Sequence, residues 1–208
     1  MNKFSGTGVA LITPFNNDMS IDFNSLEKLV EFVINGGVDF LVVLGTTGET
    51  TSLNDKEQND VINCIKKTNN SRLPMILGIG GNNTSNVLEK IISTDLSFFE
   101  AILSVTPYYN KPTQEGLYQH YKAISSVSPI PIILYNVPSR TSVNLSAETT
   151  LRLANDFSNI VAIKEASGDL DQIKNILQNK SSNFNVLSGD DRLTYEMIKN
   201  GASGVISV

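Results

Sequence analysis

Lys164 ends the apolar run Asn159–Ile163 in "NIVAIKEASGD", just before small and acidic residues turn the chain away. An ordinary lysine has a pKa near 10.4, so only about one amine in a thousand is neutral at physiological pH. Partial burial disfavours the ammonium and releases a neutral amine that can attack a carbonyl. The product is an imine, an electron sink for making or breaking carbon–carbon bonds. The plainer alternative is a lysine that snorkels out of a strand end. Lys164 alone does not separate the two readings.

Its neighbours in sequence type favour the first. Imine formation needs protons moved to and from a carbinolamine, and Tyr135 in "LYNVPSR" is a phenol suited to that transfer. Thr46 in "GTTGET" could bridge phenols, donating to one and accepting from another; an ordinary threonine in a glycine turn is the alternative. Arg140 presents a planar fork suited to a substrate carboxylate, or to a surface ion pair. "TPYYN" adds Tyr108 and Tyr109. The chain's single histidine, His120, excludes His-based triads and two-His metal sites within one chain. No metal-ligand cluster stands among these residues.

These residues must be delivered by regular elements. Short runs rich in Val, Ile and Leu recur along the chain: "GVALITPF", "DFLVVLGTT", "PMILGIGG", "AILSVTPYY", "PIILYNVPS", "IVAIKEAS", "NVLSGDD" and "GVISV". They do not alternate with polar residues, as is usual for strands of a parallel sheet buried on both faces. Amphipathic helical patterns lie between them. In "NSLEKLVEFVINGG", Leu26, Leu29, Val30 and Val33 share a face, Asn24 and Glu27 suggest a capping box, and Gly36 a stop. Asn54 and Glu57 repeat the capping pattern. Eight strands with seven intervening helices predict an α/β fold, a (β/α)8 TIM barrel over residues 1–208 as one domain. A doubly wound open sheet is the competitor, but "GIGG" lacks the dinucleotide spacing and no strand opens a P-loop.

Composition narrows the setting. The 208 residues carry a net charge of −5 with no basic run, which argues against nucleic acid. No apolar window reaches a membrane span, and "MNKFSGTGVALITPF" lacks signal-peptide architecture. The lone cysteine, Cys64, suits a reducing cytosol, so a cytoplasmic location is expected. Barrels of this type run to about 250 residues, and a chain stopping at strand eight is expected to be C-terminally truncated. Without an eighth helix or a C-terminal helical segment, strands eight and one are expected to expose apolar surface.

Taken in order, "GTTGE", "TPYYNKP", "YNVPSRT", "IKEASGD" and "SGDD" resemble the pyruvate-dependent class I aldolases. That superfamily includes the dihydrodipicolinate synthases and the N-acetylneuraminate lyases, and the likeness is closer to the synthases. It extends over the whole chain. The resemblance implies that Lys164 forms an imine with pyruvate and that Thr46, Tyr135 and Tyr109 make a hydroxyl relay. Tyr109 would enter a neighbouring subunit's site across a tight dimer, within a homotetramer built as a dimer of dimers. Thr47 and the "GTTG" backbone would cradle the pyruvate carboxylate. Arg140 would hold the carboxylate of L-aspartate 4-semialdehyde, and Gly189 and Ile206 would line the pyruvate pocket. A sister aldolase acting on a sialic or 2-keto-3-deoxy sugar acid is the alternative within the superfamily, and a non-catalytic remnant the alternative outside it.

The resemblance also implies a regulatory lysine groove at the tight dimer, around Thr50, Thr51, Asp55, Gln58, Asn82, Asn86 and Tyr108. Lysine-sensitive members tend to place histidine and glutamate where this chain has Gln58 and Asn86. A bound lysine would lack a carboxylate for its ammonium, so weak or absent inhibition is expected.

Overall fold

The computed structural model of the chain describes residues 4–208; Met1, Asn2 and Lys3 of the N-terminal stretch read above lie outside them. The strands form a closed parallel barrel. They are β1 (Gly6–Ala10), β2 (Phe40–Val43), β3 (Met75–Gly78), β4 (Ala101–Val105), β5 (Ile132–Asn136), β6 (Ile160–Glu165), β7 (Asn185–Ser188) and β8 (Gly204–Ser207). β8 pairs in parallel with β1 and closes the ring. The open doubly wound alternative is thereby excluded.

Helices α1 (Phe23–Asn35), α2 (Asp55–Asn69), α3 (Thr84–Ser93) and α4 (Gln114–Val127) follow the first four strands. After β5 come a short α5 (Pro138–Thr141) and the crossover helix α6 (Ala147–Asp156). α7 (Leu170–Asn179) and α8 (Thr194–Lys199) complete the set. The extra helix α5 was not expected from the sequence. It is a single turn without an apolar stripe, started by Pro138 at a position where a missing N–H costs nothing.

Capping was legible at one helix and misplaced at another. Asn54 and Glu57 form the reciprocal box at α2 as expected. At α1 the cap is Asp22, whose side chain accepts from the Ser25 N–H, so Asn24 already lies inside the helix. A carboxylate two residues earlier accepts from the Ser25 N–H instead and also complements the helix dipole.

Two apolar layers result. Inside the barrel, Phe40, Val42, Ile76, Leu103, Ile133, Leu187 and Ile206 pack together and fill the core. Gly8 is required there, because a Cβ at that position would lie 2.0 Å from the Phe40 ring. The larger cluster lies between the strands and the helices, with Leu26 and Val30 of α1, Ile65 of α2 and Ile173 of α7 among its buried members. The outward residues at the β8–β1 seam include Val205 and Val9, both half-buried rather than exposed. Among the described residues, no helix is long and apolar enough to cross a membrane.

The feature that matters most for the site is an irregularity between β5 and β6. Ile132 pairs with Ile160 but Ile133 pairs with Ala162, so β6 carries one extra residue at Val161. Since side chains alternate between faces, a one-residue shift exchanges inside for outside along the rest of the strand. With the bulge, Tyr135 pairs with Lys164 and Asn136 with Glu165. Without it, Tyr135 would stand beside Ile163, and Lys164 would face the helices.

Candidate active site

Lys164 is 3% exposed at the mouth of the barrel, and its ammonium lies 4.6 Å from the centroid of the Tyr135 ring. Burial lowers its pKa to about 8; Asp191 opposes the shift and Arg140 adds to it. Gly189, at the end of β7, leaves room for this side chain. A Cβ there would come within 2.9 Å of both Lys164 Cε and Cγ. Gly189, expected as a lining residue of the pyruvate pocket, here makes space for the amine's stem.

Tyr135 is 6% exposed. Burial raises its pKa, while the Arg140 charge and a hydrogen bond with the Thr46 side chain hold it down. A buried phenol kept within reach of a hydroxyl and a cation is poised for proton transfer. Thr46 opens a short 3-10 turn, Thr46–Gly48, just beyond β2. Leu44, two residues before it, is a non-glycine residue at φ 54°. Left-handed backbone of this kind stores strain and clusters at functional sites.

Arg140 sits in α5, exposed, on the wall of a cavity of about 510 Å³ that Tyr135 and Thr46 also line. Among the described residues no carboxylate forms an ion pair with it; the arginine ion pairs found here use Arg72 and Arg152. The surface-salt-bridge reading of Arg140 therefore fails, and its fork is available to a carboxylate ligand.

Other expected residues lie differently. Ile206 is fully buried in the barrel core and Thr47 half-buried; like Lys164 and Gly189, which sit behind the Tyr135 ring, neither lines this cavity. Tyr109 is 88% exposed, with φ 72°, and is likewise absent from the cavity wall. Within one chain the structure brings together Lys164, Tyr135, Thr46, Arg140 and Gly189, but not Tyr109. Asp191 was missed in the sequence, although "SGDD" was noted. Its carboxylate acts on Lys164 and accepts a hydrogen bond from the Ser207 hydroxyl at 2.9 Å.

The same cavity continues past Thr50, Thr51 and Tyr108 to Gln58, Asn82 and Asn86. Asp55 lies outside it, on a neighbouring groove between α2 and α3. One residue here was not foreseen: Lys90, whose ammonium donates to Gln58 Oε1 and lies 3.3 Å from Asp55 Oδ1. The groove already holds an ammonium of its own. Among the described residues, no group of His, Cys, Asp and Glu could hold a metal ion.

Fold and site together define a class: a TIM-barrel enzyme whose reactive groups, a desolvated amine foremost, stand at the C-terminal strand ends. The chain belongs to the dihydrodipicolinate synthetase family, whose model matches residues 3–208, and it is a lyase. It is 56% identical to the 4-hydroxy-tetrahydrodipicolinate synthase of Flavobacterium psychrophilum, over 100% of this chain and 71% of that one. The enzyme of that name from Parabacteroides distasonis is 53% identical, over 99% and 69%. Among solved structures, the chloride-inhibited dihydrodipicolinate synthase of Acinetobacter baumannii complexed with pyruvate matches with a TM-score of 0.94. It is 46% identical, covering 98% of this chain and 70% of that one.

Proposed function

We propose that this chain condenses pyruvate with L-aspartate 4-semialdehyde to 4-hydroxy-tetrahydrodipicolinate, the first committed step of the diaminopimelate route to lysine. The observation that carries this reading is Lys164, a buried amine with a pKa of about 8 beside the Tyr135 phenol. The neutral amine adds to the keto carbon of pyruvate, and water leaves as the imine forms. Loss of a methyl proton then gives an enamine, whose carbon attacks the aldehyde of the second substrate and forms the new carbon–carbon bond while the aldehyde oxygen takes up a proton; the substrate's own amine then displaces the Lys164 nitrogen at the imine carbon, closing the ring and freeing the lysine. Tyr135, with Thr46 behind it, moves the protons. Arg140, unpaired on the cavity wall, takes the carboxylate of the semialdehyde, which favours this substrate over a sugar aldehyde that has no carboxylate.

Thr47, Gly189 and Ile206 belong to the pyruvate end of the site in this reading. The high exposure of Tyr109 supports its service to a neighbouring copy in a tight dimer, and thus a homotetramer built from two such dimers. The catalyst is the lysine itself, without metal or organic cofactor, in a cytoplasmic enzyme.

The test is to add borohydride to the protein with pyruvate and map the adduct. A reduced pyruvyl group on Lys164 is expected; modification elsewhere, or none in folded protein, defeats the reading. Free lysine is expected to inhibit the condensation weakly or not at all, because Gln58 already receives the Lys90 ammonium and Asn86 offers no charge. Inhibition at micromolar lysine in a steady-state titration would contradict this.

A further inference from the structure

Each strand residue that points into the site has a neighbour that points out. Tyr135 is followed by Asn136 and Lys164 by Glu165, and the two outward residues pair across β5 and β6. Both are fully buried. A buried carboxylate is costly unless it is well supplied with donors. Glu165 receives the Ser167 N–H at 2.7 Å, Asn136 Nδ2 at 3.2 Å and Gln172 Nε2 at 3.2 Å. None of these partners faces the Lys164 amine, so the chemistry so far described leaves the cluster unused.

What the cluster grips is the base of one loop. Asn136 stands immediately before the segment 137–145, which contains α5 and Arg140. Its Oδ1 accepts the Leu145 N–H at 2.9 Å, and its Nδ2 donates to Asn144 Oδ1 at 2.7 Å. One amide therefore ties the end of the loop to its beginning. The amide's orientation is set by Glu165, which accepts only from the nitrogen side. Gln172, at the start of α7, adds a second tie by accepting from Asn144 Nδ2 at 2.7 Å.

We propose that Glu165 is a positioning residue for the second-substrate step: through Asn136 and Gln172 it fixes the loop 137–145, and so places Arg140 over the site. The proposal rests on the reading of Arg140 as the carboxylate-binding group. Lys164 does not depend on this clamp, because β6 is held by ladders to β5 on one side and β7 on the other. Glu165 thus affects the carboxylate of the incoming aldehyde far more than the imine.

The experiment compares Glu165→Ala, Glu165→Gln and Gln172→Met with the parent chain. Borohydride trapping of pyruvate at Lys164 is expected to stay within about threefold, while kcat/KM for the aldehyde falls roughly 10- to 100-fold in Glu165→Ala, chiefly through KM, as for a small misplacement of a positioning group. Glu165→Gln keeps an acceptor for Ser167 but turns an amide N–H toward other donors, and its loss is expected to be intermediate. Gln172→Met removes one donor from Glu165 but leaves it those of Ser167 and Asn136, so it decides the matter if Glu165→Ala does not fold. Amide exchange supplies a readout independent of turnover: the segment 137–145 is expected to exchange faster, with the strand Ile160–Lys164 unchanged. Equal loss of imine trapping and condensation, or an unaltered aldehyde KM with unaltered exchange in the loop, overturns the proposal. Failure of the parent to form an imine counts against the Lys164 reading instead, and the exchange comparison still judges the clamp.

Discussion

Lys164→Met is expected to abolish the borohydride-trapped pyruvate adduct and turnover with it, while making the folded chain more stable. The two effects have one cause. Holding an ammonium in this apolar mouth moves its pKa from 10.5 to about 8, a difference that corresponds to ~3 kcal/mol of folding stability at neutral pH. Methionine has a similar length and no charge to desolvate. For a chain of this size ~3 kcal/mol raises the melting temperature by about 6–12 °C. The pH dependence has a definite sign. Between about pH 8 and 10.5 the unfolded parent holds a proton on this lysine that the folded parent has lost, so parental stability rises with pH across that window. Below pH 8 both states are protonated and the full cost applies. The variant's advantage should therefore be constant below pH 8 and vanish toward pH 10.5. Melting curves across pH check this; a variant no more stable than the parent at pH 7 would mean that the lysine is not desolvated. In the parent, imine formation should rise with pH and level off above about 8, as the amine becomes neutral.

Arg140→Ala is expected to leave imine formation nearly intact and to lower kcat/KM for L-aspartate 4-semialdehyde by roughly 30- to 1,000-fold. That range corresponds to losing one partner of a charge-assisted carboxylate contact, about 2–4 kcal/mol. The guanidinium has no ion-pair partner among the described residues and lines the cavity with Tyr135, so the substitution strands no buried charge. Steady-state kinetics with the aldehyde varied, set beside pyruvate trapping at Lys164, separates the steps. Equal losses in both would mean that Arg140 acts on the amine's pKa rather than on a substrate.

The pair of substitutions also bears on the Glu165 clamp. If the clamp serves Arg140, its loss should resemble Arg140→Ala in kind and be smaller in size. It should not resemble Lys164→Met.

Much of this was legible from residue order. Runs such as "DFLVVLGTT" and "IVAIKEAS" are apolar on successive residues because barrel strands are covered on both faces, by the interior and by the helices. The α2 capping box was readable because Asn54 and Glu57 interact within one turn, where sequence distance and spatial distance coincide. At α1, Asn24 looked equally suitable, but Asp22 took the cap. A choice between two competent caps two residues apart depends on where the preceding chain enters. The residue types of the site, lysine, tyrosine, threonine and arginine at strand ends, were likewise visible in the sequence.

Tertiary structure decided the rest. The extra residue at Val161 turns Lys164 into the barrel and Glu165 out of it; nothing in "NIVAIKEASGD" marks that residue, because a run apolar on both faces has no alternation to reveal its register. Asp191 and Lys90 act through partners 27 and 32 residues away in the chain, respectively, Lys164 and Gln58. Their roles exist only once strands and helices have been brought side by side. Tyr109 was expected in a neighbouring subunit's site, and in one chain by itself it is 88% exposed. Local order determined which groups were present and which elements carry them. Register, burial and closure of the ring determined which of them meet, because a pKa shift and a hydrogen bond depend on separations of a few ångströms that sequence distance does not encode.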